Sequence, residues 1–104
     1  MGEKRQFVHP YINFLVEAIS RIHEAFVEHR YIDCCENMYS LIANLEPEIR
    51  EQLKNEEELL ERMLRNPKMV TLDKLRQVQV KISTLLHQAG YFEQAKMTPR
   101  EGDF

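Results

Sequence analysis

The sequence predicts an all-α protein, and three observations lead to that fold class. Apolar side chains recur at the three- and four-residue spacing of one helix face along most of the chain. Glycine and proline are scarce, at three and four of 104 residues, which leaves few turns and argues against an all-β fold. Hydrophobic residues at 43% and charged residues at 30% suit a folded globular chain and argue against disorder.

Short connections favour antiparallel neighbours, so we expect a four-helix antiparallel bundle or a pair of helical hairpins. The predicted helices cover about 10–28, 34–45, 47–65 and 72–89. We expect them to form one helical domain over 10–95, with a loose segment at 1–9 and a disordered tail at 96–104. Residues 91–97 allow one short additional helical turn before that tail.

The first helix begins at about Pro10, because proline is favoured at the first helical position. This is the most apolar segment of the chain, and Phe14, Val16 and Val27 widen its apolar face beyond the needs of one neighbour. We therefore expect this helix to be covered on more than one side and to lie at the centre of the fold. Its main apolar stripe consists of Ile12, Leu15, Ile19, Ile22 and Phe26.

A change of phase in the apolar pattern predicts a turn within residues 29–33. The stripe that includes Phe26 continues onto polar residues, while a second stripe starts one residue out of step at Ile32. One residue is about 100° around a helix, so a single straight helix would turn one stripe away from the core. Asp33 then fits the N-cap of the second helix, with Glu36 as its partner in a capping box.

The third helix is predicted to begin at Pro47, for the same reason as the first. Its apolar face is interrupted by Glu56. Asn55 with Glu58 fits a second capping box, so a kink near Asn55 is compatible with the pattern.

The fourth helix has a clear signal at each end. Thr71 fits the N-cap, Val70 and Leu75 fit a hydrophobic staple, and Gly90 fits a left-handed C-cap. Its predicted buried face consists of Leu72, Leu75, Val78, Ile82, Leu85, Leu86 and Ala89.

Two segments have small or aromatic residues around a predicted helix–helix turn, one over Ile22–Pro47 and one over Ile82–Ala95. Both resemble the helix-turn-helix of tetratricopeptide repeats, which implies a helical hairpin at each place. Arg30 stands where the repeat has glycine, and the segments lie about 60 residues apart instead of 34. The resemblance therefore implies hairpin geometry alone and no membership of that family.

Residues suited to catalysis or metal binding are present without the spacing that such sites need. His23 and His29 lie about 120° apart around a helix, and the adjacent Cys34 and Cys35, which we expect to be reduced, diverge by about 100°. The glutamates of 56–61 are typical of a solvated helix face, and no phosphate-binding loop or nucleophile elbow occurs. We expect no enzyme activity, no metal and no cofactor.

Charge and hydropathy suggest where the protein acts. No apolar run approaches about 18 residues, and the first residues lack the apolar middle of a signal peptide, so we expect a cytoplasmic protein with no membrane partner. Residues 31–66 carry four basic and nine acidic residues, whereas residues 67–104 carry six basic and four acidic residues. The chain is acidic in its middle and locally basic in its last third.

Apolar residues outside the main stripes favour a protein-interaction or adaptor function. A four-helix domain of this length cannot cover all of them, so we expect a homodimer or a complex with another protein. The predicted interface consists of Phe14, Leu59 and Val80, with Tyr91 and Phe92 as additions.

The alternative function is that of a small nucleic-acid-associated regulator. Lysine and arginine near the fourth helix could contact phosphates, and neighbouring amide side chains could reach base edges. The residues that would form this basic face are Lys68, Lys74, Arg76 and Lys81.

Overall fold

A computed structural model describes residues 10–91, with side chains from residue 14 onward. The all-α class is confirmed, since these residues form five α-helices and one 3-10 helix and contain no strand. The predicted loose segment at 1–9, the part of the short helical turn beyond Tyr91, which includes Phe92, and the tail lie outside the described residues. The helices are α1 (Pro10–Val27), α2 (Tyr31–Ala43), α3 (Pro47–Gln52), α4 (Lys54–Arg65) and α5 (Leu72–Gln88), with the 3-10 helix at Pro67–Met69.

The predicted turn between the first two helices is confirmed, and it is a Schellman motif. The Arg30 amide donates to the Ala25 carbonyl at 2.8 Å, and the His29 amide donates to the Phe26 carbonyl at 3.1 Å. His29 occupies the left-handed position with φ of 59°, where glycine is usual. The turn therefore holds one non-glycine residue in a backbone conformation that costs about 1 kcal/mol.

The predicted start of the second helix is wrong. We expected a helix over 34–45 with Asp33 as N-cap, but α2 begins at Tyr31 and ends at Ala43. Asp33 lies in the first turn of α2, where its carboxylate accepts from the Arg30 guanidinium at 2.7 Å. Because the Schellman turn reverses the chain by Arg30, the helix restarts before the capping residue that the sequence offered.

The single helix predicted over 47–65 is divided into α3 and α4 by a break at Leu53. Leu53 leaves helical geometry with φ of −107° and ψ of 17°, and its side chain is fully buried. The break lies two residues before the kink that we considered at Asn55. Across it, the Arg50 guanidinium donates to Glu57 at 2.8 and 3.3 Å, which joins the two short helices on their outer side.

The ends of α5 agree with the prediction. The Thr71 hydroxyl accepts from the Lys74 amide at 3.2 Å, as an N-cap does, and Gly90 adopts a positive φ of 79° just beyond the helix. The composition of the buried face does not agree. Leu72 is 40% exposed and Ala89 is also exposed, whereas Gln79 and Ser83 are buried.

Helix α2, and not α1, lies at the centre of the described fold. It packs against α1, α4 and α5, whereas Val27 at the end of α1 stays 62% exposed. The Cys35 thiol on α2 lies 3.5 Å from the Leu60 carbonyl of α4 and donates a hydrogen bond to it. The fully buried residues of α2 are Cys34, Cys35, Met38, Leu41 and Ile42.

Candidate interaction surface

Helix α5 presents apolar side chains on its solvent-facing side. Leu72 is 40% exposed and Val80 is 47% exposed, and Arg76 lies between them at the four-residue spacing that places all three on one side of a helix. We call this side the α5 outer face. It consists of Leu72, Asp73, Arg76, Gln77 and Val80.

An open depression of about 520 Å³ lies on the α5 outer face and is lined by Asp73, Arg76, Gln77 and Val80. It combines one acid, one base, one amide and one aliphatic side chain. Asp73 also lies in the first turn of α5, where the helix dipole favours a negative charge. The depression can therefore contact both apolar and charged groups of another molecule.

A narrower cavity of about 240 Å³ lies between α1 and α5, and we call it the α1–α5 cavity. The Arg76 guanidinium lies 5.0 Å from the centroid of the Phe26 ring, within cation–π distance. Gln79 is only 3% exposed, and its Oε1 has no hydrogen-bond partner within the described residues. The cavity is lined by His23, Phe26, Val27, Arg76 and Gln79.

The sequence did not predict that Gln79 is buried, although its spacing contained a signal. Gln79 and Ser83 follow Leu75 at four and eight residues, so they fall on the same side of the helix as Leu75. Residue type alone favours apolar residues for the buried face, which excludes these two polar residues although their helical spacing is that of buried positions. A glutamine at the helical spacing of core residues is the sequence signal that indicates a polar group inside this part of the fold.

The residues of the predicted protein interface do not form one surface. Phe14 and Leu59 are partly buried and pack against the core of their own chain, and Tyr91 is 7% exposed. Val80 is the only one of the five that is largely exposed within the described residues, and Phe92 lies outside them. Of the predicted set, Val80 alone contributes to the α5 outer face.

The four predicted basic residues also occupy different surroundings. The Lys74 ammonium donates to the Met69 carbonyl at 3.2 Å, and Arg76 lies over Phe26, while Lys68 and Lys81 are exposed. Lys74 and Arg76 are two residues apart, which places them about 160° apart around α5. These positions provide no continuous basic row, and nucleic-acid binding stays a prediction without structural support.

The two cysteines are buried inside the fold. Burial raises the pKa of the Cys34 thiol to about 12, with a further rise from Cys35 and an opposing effect of Arg76. Burial also raises the pKa of Cys35 to about 11, and Glu36 adds to that rise. Both side chains are therefore neutral thiols near pH 7, which is the unreactive form. Within residues 14–91, no group of three or more histidine, cysteine or acidic side chains is arranged to hold a metal ion.

A third depression, of about 430 Å³, lies beside the turn between α1 and α2 and includes Ile32, which is 46% exposed. Its charged groups already have partners, since Arg30 pairs with Glu28 at 2.8 Å and with Asp33 at 2.7 Å. Ile32 is therefore a suitable control for Val80, because the two side chains are similarly exposed but lie on different surfaces. None of the helices described here is both long and apolar enough to cross a membrane.

Comparison with known protein families, with characterised proteins and with solved structures finds no match to this chain. Its function is therefore argued from the surfaces described above.

Proposed function

We propose that this protein is a non-catalytic interaction module that binds a second copy of itself through the α5 outer face. The observation that supports this function is the exposure of Leu72 and Val80 on the same side of α5, where Val80 lines a depression together with Asp73 and Arg76. Apolar side chains on the outward side of a helix gain free energy when a partner covers them, at about 25 cal/mol per Å². A binding role accounts for their position on the same side of one helix.

The charges on this face favour a second copy as the partner. Asp73 and Arg76 lie one helical turn apart on the same face. In a two-fold dimer, each residue that contacts a partner residue is contacted by it in return, so Asp73 of each copy can pair with Arg76 of the other. The face is thus electrostatically complementary to itself.

The size of the face sets the expected strength of association. Two large apolar side chains and two ion pairs form a small contact, well below the roughly 800 Å² per partner of a standard interface. We therefore expect a weak dimer with a Kd of about 10 to 100 µM.

Sedimentation equilibrium of the full chain, from about 10 µM to about 1 mM, tests this proposal. We expect the average mass to rise toward that of a dimer. Val80→Glu, which places a desolvated charge in the contact, should weaken association at least about tenfold. Ile32→Glu is the matched control, because Ile32 and Val80 have nearly equal exposure, 46% and 47%, on different surfaces.

A charge-swap variant tests the two-fold pairing. Asp73→Arg and Arg76→Asp should each weaken association through like charges, while the double variant should recover it. A chain that stays monomeric throughout, or that loses association with Ile32→Glu and keeps it with Val80→Glu, would contradict the proposal. Salt-sensitive binding of an oligonucleotide by the monomer would favour the nucleic-acid alternative instead.

A further inference from the structure

The α1–α5 cavity contains a hydrogen-bond acceptor that the protein leaves unused. Gln79 is 3% exposed, and no described residue donates to its Oε1. Most buried polar groups in proteins have a partner, and leaving one without a partner destabilises the fold. Gln79 lines the cavity, so a ligand N–H or O–H that reaches Oε1 when the Gln79 side chain turns toward the cavity would recover that loss.

Arg76 provides the second recognition element of this cavity. Its guanidinium is held over the Phe26 ring at 5.0 Å, and no carboxylate of the described residues forms an ion pair with it. Of the other described arginines, Arg21, Arg30, Arg50 and Arg65 each pair with a carboxylate of this chain, and only Arg62 also has no such pair among the described residues. Asp73 lies one helical turn away but does not form an ion pair with Arg76, so this positioned guanidinium is suited to a carboxylate supplied by another molecule.

The remaining cavity residues define the surroundings of that carboxylate. No acidic side chain lines the cavity among the described residues, and the imidazole of His23 adds a polar group at the rim. Val27 lies beside them and is 62% exposed, which provides an apolar contact next to the charged one. At about 240 Å³ the cavity is too small for a helix, whose diameter is about 10 Å, and suits a single side chain with its peptide group.

We propose that the α1–α5 cavity binds an acidic side chain in an extended segment of a partner protein. The carboxylate accepts from the Arg76 guanidinium, a backbone N–H of the same segment donates to Gln79 Oε1, and an apolar residue next to the acid packs on Val27. This is a second binding site, and its ligand competes with self-association for the Arg76 guanidinium. It shares Arg76 with the α5 outer face and uses Gln79, Phe26 and Val27, which that face does not contain.

A short peptide provides the direct probe of this site. The tetrapeptide Ala-Glu-Leu-Ala, acetylated and amidated at its ends, contains the carboxylate, the N–H groups and the apolar neighbour. The same peptide with glutamine in place of glutamate is its control. We expect the glutamate peptide to shift the NMR signals of the Gln79 side-chain amide and the Arg76 guanidinium, with a Kd of about 1 mM for one charge-assisted contact.

Three variants separate the proposed contacts. Arg76→Gln should weaken peptide binding about tenfold or more, because the charge-assisted pair is lost. Gln79→Leu should weaken it about fivefold and raise the Tm, since the buried acceptor without a partner is removed. Gln88→Leu, an exposed position on the same helix that belongs to neither binding site, should leave peptide binding unchanged.

Binding is also measured in Val80→Asn, which removes an apolar contact of the α5 outer face without adding a carboxylate one helical turn from Arg76, and leaves the cavity residues in place. Peptide binding retained in that variant supports the cavity site whether or not the protein dimerises. The proposal is overturned if the glutamate peptide causes no shift up to about 10 mM. It is equally overturned if the glutamine peptide binds as well, or if Gln79→Leu or Arg76→Gln binds like the unchanged protein.

Discussion

Helices α2 and α5 both pack against other helices, yet they distribute polar and apolar side chains differently. The buried side of α2 is apolar and has no exposed area; it consists of Cys34, Cys35, Met38, Leu41 and Ile42. On α5, Gln79 and Ser83 lie inside while Leu72 and Val80 lie outside. Departures from the usual pattern of apolar residues inside and polar residues outside concentrate at functional sites. This contrast is the basis of our proposal that α5 also forms a recognition surface, whereas α2 mainly stabilises the fold.

The strongest test of this comparison removes one apolar side chain from each helix. Leu41→Ala in α2 should lower the free energy of unfolding by about 2 to 5 kcal/mol, because Leu41 is fully buried and the shorter side chain leaves a cavity in the core. Val80→Ala on the α5 outer face should change it by less than about 0.5 kcal/mol, because Val80 is already half exposed. Urea denaturation monitored by circular dichroism gives both values. Equal losses at the two positions would remove the distinction between the two helices.

A pH titration tests how completely α2 is buried. The folded protein holds the Cys34 proton more tightly than the unfolded chain does, since burial raises the thiol pKa from 9.0 to about 12. Above pH 9 the unfolded state therefore binds fewer protons, and the free energy of unfolding falls as pH rises. Over the first pH unit above that value, we expect a loss of about 1 kcal/mol from this thiol.

The control for the titration is Cys34→Ala, measured by denaturation over the same pH range. Its slope should be about half that of the unchanged protein, because Cys35, whose pKa is also raised, continues to contribute. An identical slope in both proteins would show that the Cys34 thiol titrates as it does in the unfolded chain.

A smaller effect is expected from the polar residue inside α5. Gln79→Leu should raise the free energy of unfolding by about 1 kcal/mol, because a buried acceptor without a partner is replaced by an apolar group of similar size. Gln77→Leu on the exposed side should change it by less than about 0.5 kcal/mol. Denaturation curves of the two variants provide the measurement. A clear loss of stability in Gln79→Leu would mean that Gln79 supports the fold and would weaken its assignment to a binding cavity.

The features predicted correctly are those that local chemistry determines. Proline at the start of α1 and α3, the Thr71 cap and the left-handed Gly90 each depend on a few neighbouring residues. The phase shift in the apolar pattern predicts the turn between α1 and α2, because the apolar faces of both helices have to pack against the same core.

The features that were missed depend on contacts between distant segments. The break at Leu53 has no glycine or proline, and it forms where the Leu53 side chain turns inward. The central position of α2 is set by its three packing partners, which no local pattern specifies. For the candidate sites, the sequence identifies Val80 as an apolar residue outside the main stripe of its helix. The cavity around Gln79 forms between α1 and α5, so it depends on a contact between distant segments.

The most direct test of the central claim is a dilution series followed by two-dimensional ¹H–¹⁵N NMR of the full chain. We predict that the amide signals of Asp73, Arg76, Gln77 and Val80 move together with concentration and follow one binding curve. Signals of exposed α4 residues such as Glu58 and Arg62 should stay fixed. Concentration-independent spectra, or shifts confined to α4, would contradict the assignment of the α5 outer face as the contact surface.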